Sequence, residues 1–234
     1  MKVSIIIPVY NEERTILKIL NAIKEEIKKI ESFKFEIIVV DDNSNDKTSD
    51  ILNKNKNLTD IIITNPKNFG KGYSIRQGIN NHSGDLILIQ DADLEYLPQE
   101  YTKLLTPFIK YEADVVYGSR FKSSNINRVL LFWHYLANQL LTFLSNLFSD
   151  LNLSDVETGY KVFRSDIIKQ INLRENSFAF EIEVTQKIAN IKPKPKFFEV
   201  GINYFGRTYE EGKKIGFKDA VAAIIAIFRY GLRL

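Results

Sequence analysis

The sequence predicts an α/β protein built on an open, mostly parallel sheet flanked by helices. Three observations carry this. Short runs rich in Ile, Val and Leu alternate with stretches of helical periodicity through the first half of the chain. Each run stops abruptly at a polar or acidic cluster. The spacing between runs leaves room for the crossover helices that parallel strands need.

At 234 residues the chain can bury a sizeable core as one domain. A hydrophobic content of 44% with 26% charged residues is that of a soluble globular protein. A net charge of +3 is too small to indicate a nucleic-acid partner, and none is expected. The absence of cysteine excludes disulfides and thiolate metal sites. The apolar run from Val3 is too short for a signal-peptide core and lacks a small-residue cleavage site, so a cytoplasmic protein is expected.

The first strand is expected at Val3–Ile7, ended by Pro8, which cannot donate to a ladder. Asn11 is placed to cap a helix from about Glu12 to Ile30, with Ile16, Leu20, Ile23 and Ile27 on one face. Phe35–Val40 is a second strand, ending at Asp41-Asp42, and Asp60–Thr64 a third. Asn65-Pro-Lys-Asn-Phe-Gly-Lys-Gly72 then leads into a helix reaching about Asn81. Leu86–Gln90 is the fourth strand, and Pro98 opens the next helix at a favoured early position. Ala113–Tyr117 is the fifth, ending at Gly118-Ser-Arg120.

In sheets of this kind ligands lie beyond the carboxyl ends of the strands. Here those ends carry Tyr10, Glu12, Asp41, Asp42, Asp91, Asp93 and Arg120. Asp91 and Asp93, one residue apart past a buried strand, need a compensating positive charge. A divalent cation with hard oxygen ligands, Mg2+ or Mn2+, supplies it, and Glu95 offers a third oxygen. Read singly, each of these residues is equally suited to cap a strand or a turn.

In series, PVYNEE, VVDDNSND, GDLILIQDADLE and GSR resemble the family 2 glycosyltransferases of the GT-A fold, with the polyprenyl-phosphate (dolichol-phosphate) mannose and glucose synthases closest. The resemblance runs to about Lys214. It implies a GT-A domain over 1–214, divided into a nucleotide-sugar half at 1–120 and an acceptor half at 121–214, followed by an amphipathic helix over 215–234. It implies a nucleotide-diphosphate sugar donor with Pro8, Tyr10, Glu12, Asp41 and Asp42 around the base and ribose. By the same match Asp91 and Asp93 bind the cation. Glu95 stands where such synthases often carry Gln.

From Val129 to Ser149 the chain is strongly apolar, yet His134, Asn138, Thr142, Ser145 and Ser149 recur on one helical stripe. Five polar groups make a bilayer span expensive, so an amphipathic helix is expected. Either the stripe faces solvent, or it lines a site while the apolar face meets lipid. The resemblance gives Arg120 to the acceptor phosphate, with His134 near a phosphate-binding position, Asn138 on the same stripe and Arg128 in the preceding loop. Asp155-Val-Glu157-Thr-Gly159 resembles the family segment that flanks the donor sugar, with Asp155 matching its acid. A hydroxyl acceptor would need a general base, Asp155 or Glu157, whereas a lipid phosphate is already an anion and needs none. The Gln-x-x-Arg-Trp signature of processive synthases is absent.

Phe178–Ala189 reads as a helix of mixed surface character, broken by Pro193 and Pro195, and Phe197–Tyr204 as a last strand. The glycine-rich basic stretch that follows is suited to close on phosphates, and the resemblance assigns that role to Arg207 and Lys214, with Lys213 standing in the place of the family's usual Ser. Phe217–Tyr230 is an amphipathic helix that lies in a membrane interface, packs on the core or meets another subunit. The expectation is an enzyme peripheral to the inner membrane surface that moves one hexose from a GDP- or UDP-sugar to a polyprenyl phosphate. Its rivals are a hexosyltransferase with a hydroxyl acceptor and a non-catalytic nucleotide-sugar binding module.

Overall fold

The computed structural model describes residues 1–122, 128, 129, 131–207 and 216–232. Seven strands form one sheet: β1 Lys2–Val9, β2 Lys34–Asp41, β3 Ile61–Thr64, β4 Leu86–Ile89, β5 Val115–Ser119, β6 Lys161–Arg164 and β7 Phe197–Gly201. Their order is β3-β2-β1-β4-β6-β5-β7. All neighbours are parallel except β6, which runs antiparallel between β4 and β5. The chain first builds outward from β1 to β2 and β3, then returns to place β4 on the other side of β1. The crevice outside the carboxyl ends of β1 and β4 is therefore the switch point where such sheets bind ligands.

The helices are α1 Ile16–Ile27, α2 Thr48–Lys54, α3 Lys71–Asn81, α4 Tyr101–Lys110, α5 Phe132–Ser149, α6 Ser165–Ile168, α7 Phe180–Ala189 and α8 Phe217–Gly231. Strand side chains alternate between two cores. Ile5, Ile7 and Leu88 face α1 and α4 with Ile19, Leu20 and Leu104, whereas Ile6, Ile87 and Ile89 face α3, α7 and α8 with Ile75, Phe180 and Ile227. Both faces of β1 and β4 are covered, which explains their unbroken apolar runs.

Several sequence expectations are corrected. Pro8 does not end β1, which continues to Val9 in register with Asp41. Ile6 O accepts from Gln90 on the β4 side and Val9 O from Asp42 on the β2 side. Pro8 thus turns its missing N–H toward β4, which has already ended. Asn11 does not cap α1: at φ 52° it binds the loop after β2, donating to Ser44 Oγ (3.0 Å) and accepting from Asn45 N (2.7 Å), and α1 starts only at Ile16. Strand β6 was not anticipated. Helix α7 is no mixed surface, since nine of its ten residues are buried, Glu181 and Glu183 included.

The α5 stripe settles inward. Thr142, Ser145 and Ser149 are buried, and Gln186 of α7 donates to Ser145 O (2.9 Å). The outward face is apolar instead, with Trp133 74% and Phe143 64% exposed. Helix α8 packs on α5 and α7 through Ala223, Ala226 and Ile227, leaving Val221, Ile225 and Phe228 exposed beside it. Among the described residues no helix is long and apolar enough to cross a membrane.

Candidate functional site

One cavity of about 690 Å³ opens at the β1/β4 switch point and runs under α5 and α8. Pro8, Tyr10, Glu12 and Asp42 line one end, Asp91, Asp93, Glu95 and Arg207 its middle, and Arg120, His134 and Asn138 the other. Asp41 does not reach it. That side chain is 1% exposed and accepts from Ser44 Oγ (2.6 Å), Ser44 N (3.0 Å) and Ser49 Oγ, pinning the loop after β2. Adjacent strand residues point to opposite sides, so Asp42 takes the cavity face, where it accepts from Asn65 Nδ2 (2.7 Å) and Gly70 N (2.7 Å). Gly70 lies at φ 102°, and a Cβ there would stand 2.5 Å from Asn176 O, so the approach of this loop requires glycine.

Asp91 and Asp93 are held by basic side chains. Lys71, at the start of α3, lies 2.8 Å from Asp91 and 3.1 Å from Glu181. Arg207 lies 3.0 Å from Asp93 and 3.1 Å from Glu12. Burial pushes the Asp93 carboxyl up to about 7, with Asp91 and Glu95 adding repulsion and Arg207 opposing it. Burial disfavours the Lys71 ammonium, but Asp91 and Glu181 outweigh that and raise its pKa above the ordinary lysine range.

Two hard-oxygen acids at a cavity wall, under mutual repulsion, fit a divalent cation. Glu95 is less available as a third ligand than expected. Its oxygens accept from Tyr204 Oη (2.6 Å) and Arg207 N (2.8 Å), which ties the 204–207 segment to the loop after β4. Among the described residues no three acidic or histidine side chains converge into a complete cage.

At the far end Arg120, its side chain 9% exposed, is clamped by Asp155, which accepts from Nε at 2.7 Å and from Nη2 at 2.7 Å. Asp155 is wholly buried and off the cavity wall, so it positions Arg120 and is not placed to remove a proton. Arg120 Nη2 also donates to Asn138 Oδ1 (3.1 Å), whose amide nitrogen donates to His134 O (2.7 Å). Arg128 is off the cavity wall as well: it donates through Nη1 to Gly206 O (2.9 Å) and anchors the 204–207 segment. Lys213 and Lys214 lie outside the described residues.

Sequence reasoning missed a buried charge chain. Lys161 of β6 is fully buried and donates to Val156 O (2.9 Å) and Glu181 Oε2 (2.5 Å), and Glu181 in turn pairs with Lys71. The one available signal was Lys71 between two glycines at a helix start, a common setting for contact with anions. Glu157 also lines the cavity, and its carboxyl is pushed up to about 7 by burial and then by Glu181, against Lys161 and Arg120.

The chain is similar to known proteins in sequence and in fold. A dolichol-phosphate mannosyltransferase of Pyrococcus furiosus is 26% identical over 92% of this chain and 61% of its own length. A dolichyl-phosphate beta-glucosyltransferase of Trichomonas vaginalis is 31% identical over 74% of this chain and 56% of its own. The chain thus spans less than two thirds of either relative. The crystal structure of glucosyl-3-phosphoglycerate synthase from Mycobacterium tuberculosis with uridine diphosphate superimposes with a TM-score of 0.74 at 16% identity, over 98% of this chain and 80% of that one. The same enzyme has been crystallised with Mn2+, uridine diphosphate and phosphoglyceric acid. The family model for glycosyl transferase family 2 matches residues 4–171. With that match across most of its length, on the GT-A sheet its motifs led us to expect, the chain belongs to glycosyl transferase family 2.

Proposed function

We propose that this protein moves a single hexosyl group, mannosyl or glucosyl, from a GDP- or UDP-sugar to a polyprenyl phosphate with inversion at the anomeric carbon. The observation that carries the reading is the single cavity joining Asp91 and Asp93 to the clamped Arg120. Asp91 and Asp93 would hold Mg2+ or Mn2+, which when bound neutralises the departing nucleoside diphosphate. Arg207 stands beside them as a second positive charge for that group. Arg120, fixed by Asp155, presents its guanidinium to the acceptor phosphate. A phosphate oxygen forms the new bond to the anomeric carbon as the bond to the diphosphate oxygen breaks, and no proton has to be removed. Alignment does most of the work.

The names of the two relatives support a polyprenyl acceptor, and so does the mouth of the cavity, where Trp133 of α5 and Ala220 of α8 adjoin the exposed apolar faces of both helices. Those faces would rest on the membrane that holds the acceptor, a peripheral contact. A panel of nucleotide sugars assayed against short-chain polyprenyl phosphates with Mn2+, read by product mass, tests the proposal. One hexosyl phospholipid is expected, and no metal-stimulated turnover with any donor would overturn it. A hydroxyl acceptor is the second reading, favoured by one observation. Glu157, unlike Asp155, is unengaged on the cavity wall and can take a proton.

A further inference from the structure

Glu157 is the odd member of the cavity wall. The other wall carboxylates are held: Asp91 by Lys71, Asp93 and Glu12 by Arg207, Glu181 by Lys71 and Lys161, Asp42 by Gly70 N, Glu95 by Tyr204 and Asp219 by Gly216 N. Glu157 has no hydrogen bond or ion pair among the described residues, and its Oε1 is shut off from solvent. Glu157 is itself half-buried, and a carboxylate oxygen shut off from water without a donor is costly. It is retained where something outside the chain completes it.

Its place in the segment says what that is. Two residues earlier Asp155 clamps Arg120, and two residues later Gly159 abuts Asp91 so closely that a Cβ would stand 2.3 Å from Oδ2. Glu157 therefore lies between the cation carboxylates and the acceptor-phosphate arginine. The diphosphate and the acceptor phosphate are anions and cannot be what a carboxylate receives. The part of the substrates that must lie between them is the sugar in transit, whose hydroxyls are neutral donors.

We infer that Glu157 accepts a hydrogen bond from one hydroxyl of the transferred sugar and thereby selects which sugar is moved. The inference rests on the hexosyltransferase reading above and adds a specificity determinant to it. Losing a hydrogen bond to a charged group at a buried site corresponds to a loss of about 10- to 100-fold.

The test measures kcat/KM for the preferred nucleotide sugar and each of its monodeoxy analogues, in wild type, Glu157→Gln and Glu157→Ala. Affinity for the nucleoside diphosphate with Mn2+ is measured alongside. Wild type is expected to lose about 10- to 100-fold on one monodeoxy donor. Glu157→Ala is expected to lose as much on the parent sugar and to pay no further penalty on that donor, with Gln intermediate and nucleoside diphosphate affinity unchanged. Equal penalties in wild type and variants for every analogue would overturn the inference while leaving the transferase reading intact. So would a wild type that uses all monodeoxy donors alike, a result that does not depend on any variant folding. A kcat loss in Glu157→Gln with donor affinity and deoxy penalties unchanged would make Glu157 a base instead. A wild type that uses no nucleotide sugar would overturn the transferase reading, and this inference with it.

Discussion

The two ends of the sheet treat buried acids in opposite ways. At the amino end Glu36 of β2 accepts from Lys2 Nζ (2.6 Å), Ser4 Oγ, Ser83 N (2.7 Å) and Ser83 Oγ (2.5 Å). Burial alone would raise its pKa, but Lys2, Ser4 and Ser83 hold it down to about 2. At the carboxyl end Asp93 and Glu157 are both pushed up to about 7, by burial first and by neighbouring acids next. One end supplies its carboxylate with donors from the chain itself. The other gathers acids under mutual repulsion along a cavity wall, and perturbed groups in a cleft are candidates for a functional site.

The largest expected effect comes from removing one of the carboxylates proposed to hold the cation. Asp93→Asn should lower turnover at saturating Mn2+ by at least about 100-fold, and chelation should do the same to wild type. Its effect on stability should run the other way. Asp93 has a raised folded pKa, so what it contributes to stability is present below its unfolded value of 3.8 and is lost as pH rises through about 7. The metal-free variant should therefore gain on wild type between pH 4 and 7 in urea titrations. A variant that lost stability across that range would break the comparison.

Next in size is Gly159→Ala. The new Cβ would meet Asp91 Oδ2 at 2.3 Å and Tyr96 at 2.9 Å. Displacing Asp91 should cost about 10- to 100-fold in Mn2+-dependent turnover, measured beside a cation affinity that falls in step.

The smallest effect tests the amino end. Glu36→Gln should leave kcat/KM unchanged and lower stability at pH 7 by about 1–3 kcal/mol. Here the folded pKa is depressed, so the contribution is present above 4.5 and is lost as pH falls toward about 2. The gap between variant and wild type should close over that interval in denaturant titrations at stepped pH. A gap of constant size would mean that Glu36 acts through packing and not through charge.

The first five strands could be read from the sequence because their apolar runs end at polar clusters, and the site edge could be read for the same reason. Strand β6 was hidden by Lys161, a charge at the start of a short buried strand whose partners lie in other segments. Helix α7 was misread because its acids suggest solvent. Glu183 is instead wholly buried, accepting from Arg174 N (2.7 Å) and Glu175 N (2.8 Å) and pairing with Lys187. Which of Asp41 and Asp42 meets the cavity depends on strand parity, fixed only once Pro8 is known to sit inside β1 and not at its end. Motif spacing pointed to Arg120, which lies on the cavity wall, but could not show that Asp155 holds it.

Asp91 leans on Lys71, Lys71 on Glu181, and Glu181 on Lys161 in the middle of the sheet. Position 161 never touches the cavity, yet its charge is part of the balance felt by the carboxylate at the front. Anyone redesigning this molecule inherits those four side chains as a block: neutralise the hindmost, and the foremost must find a new counterweight.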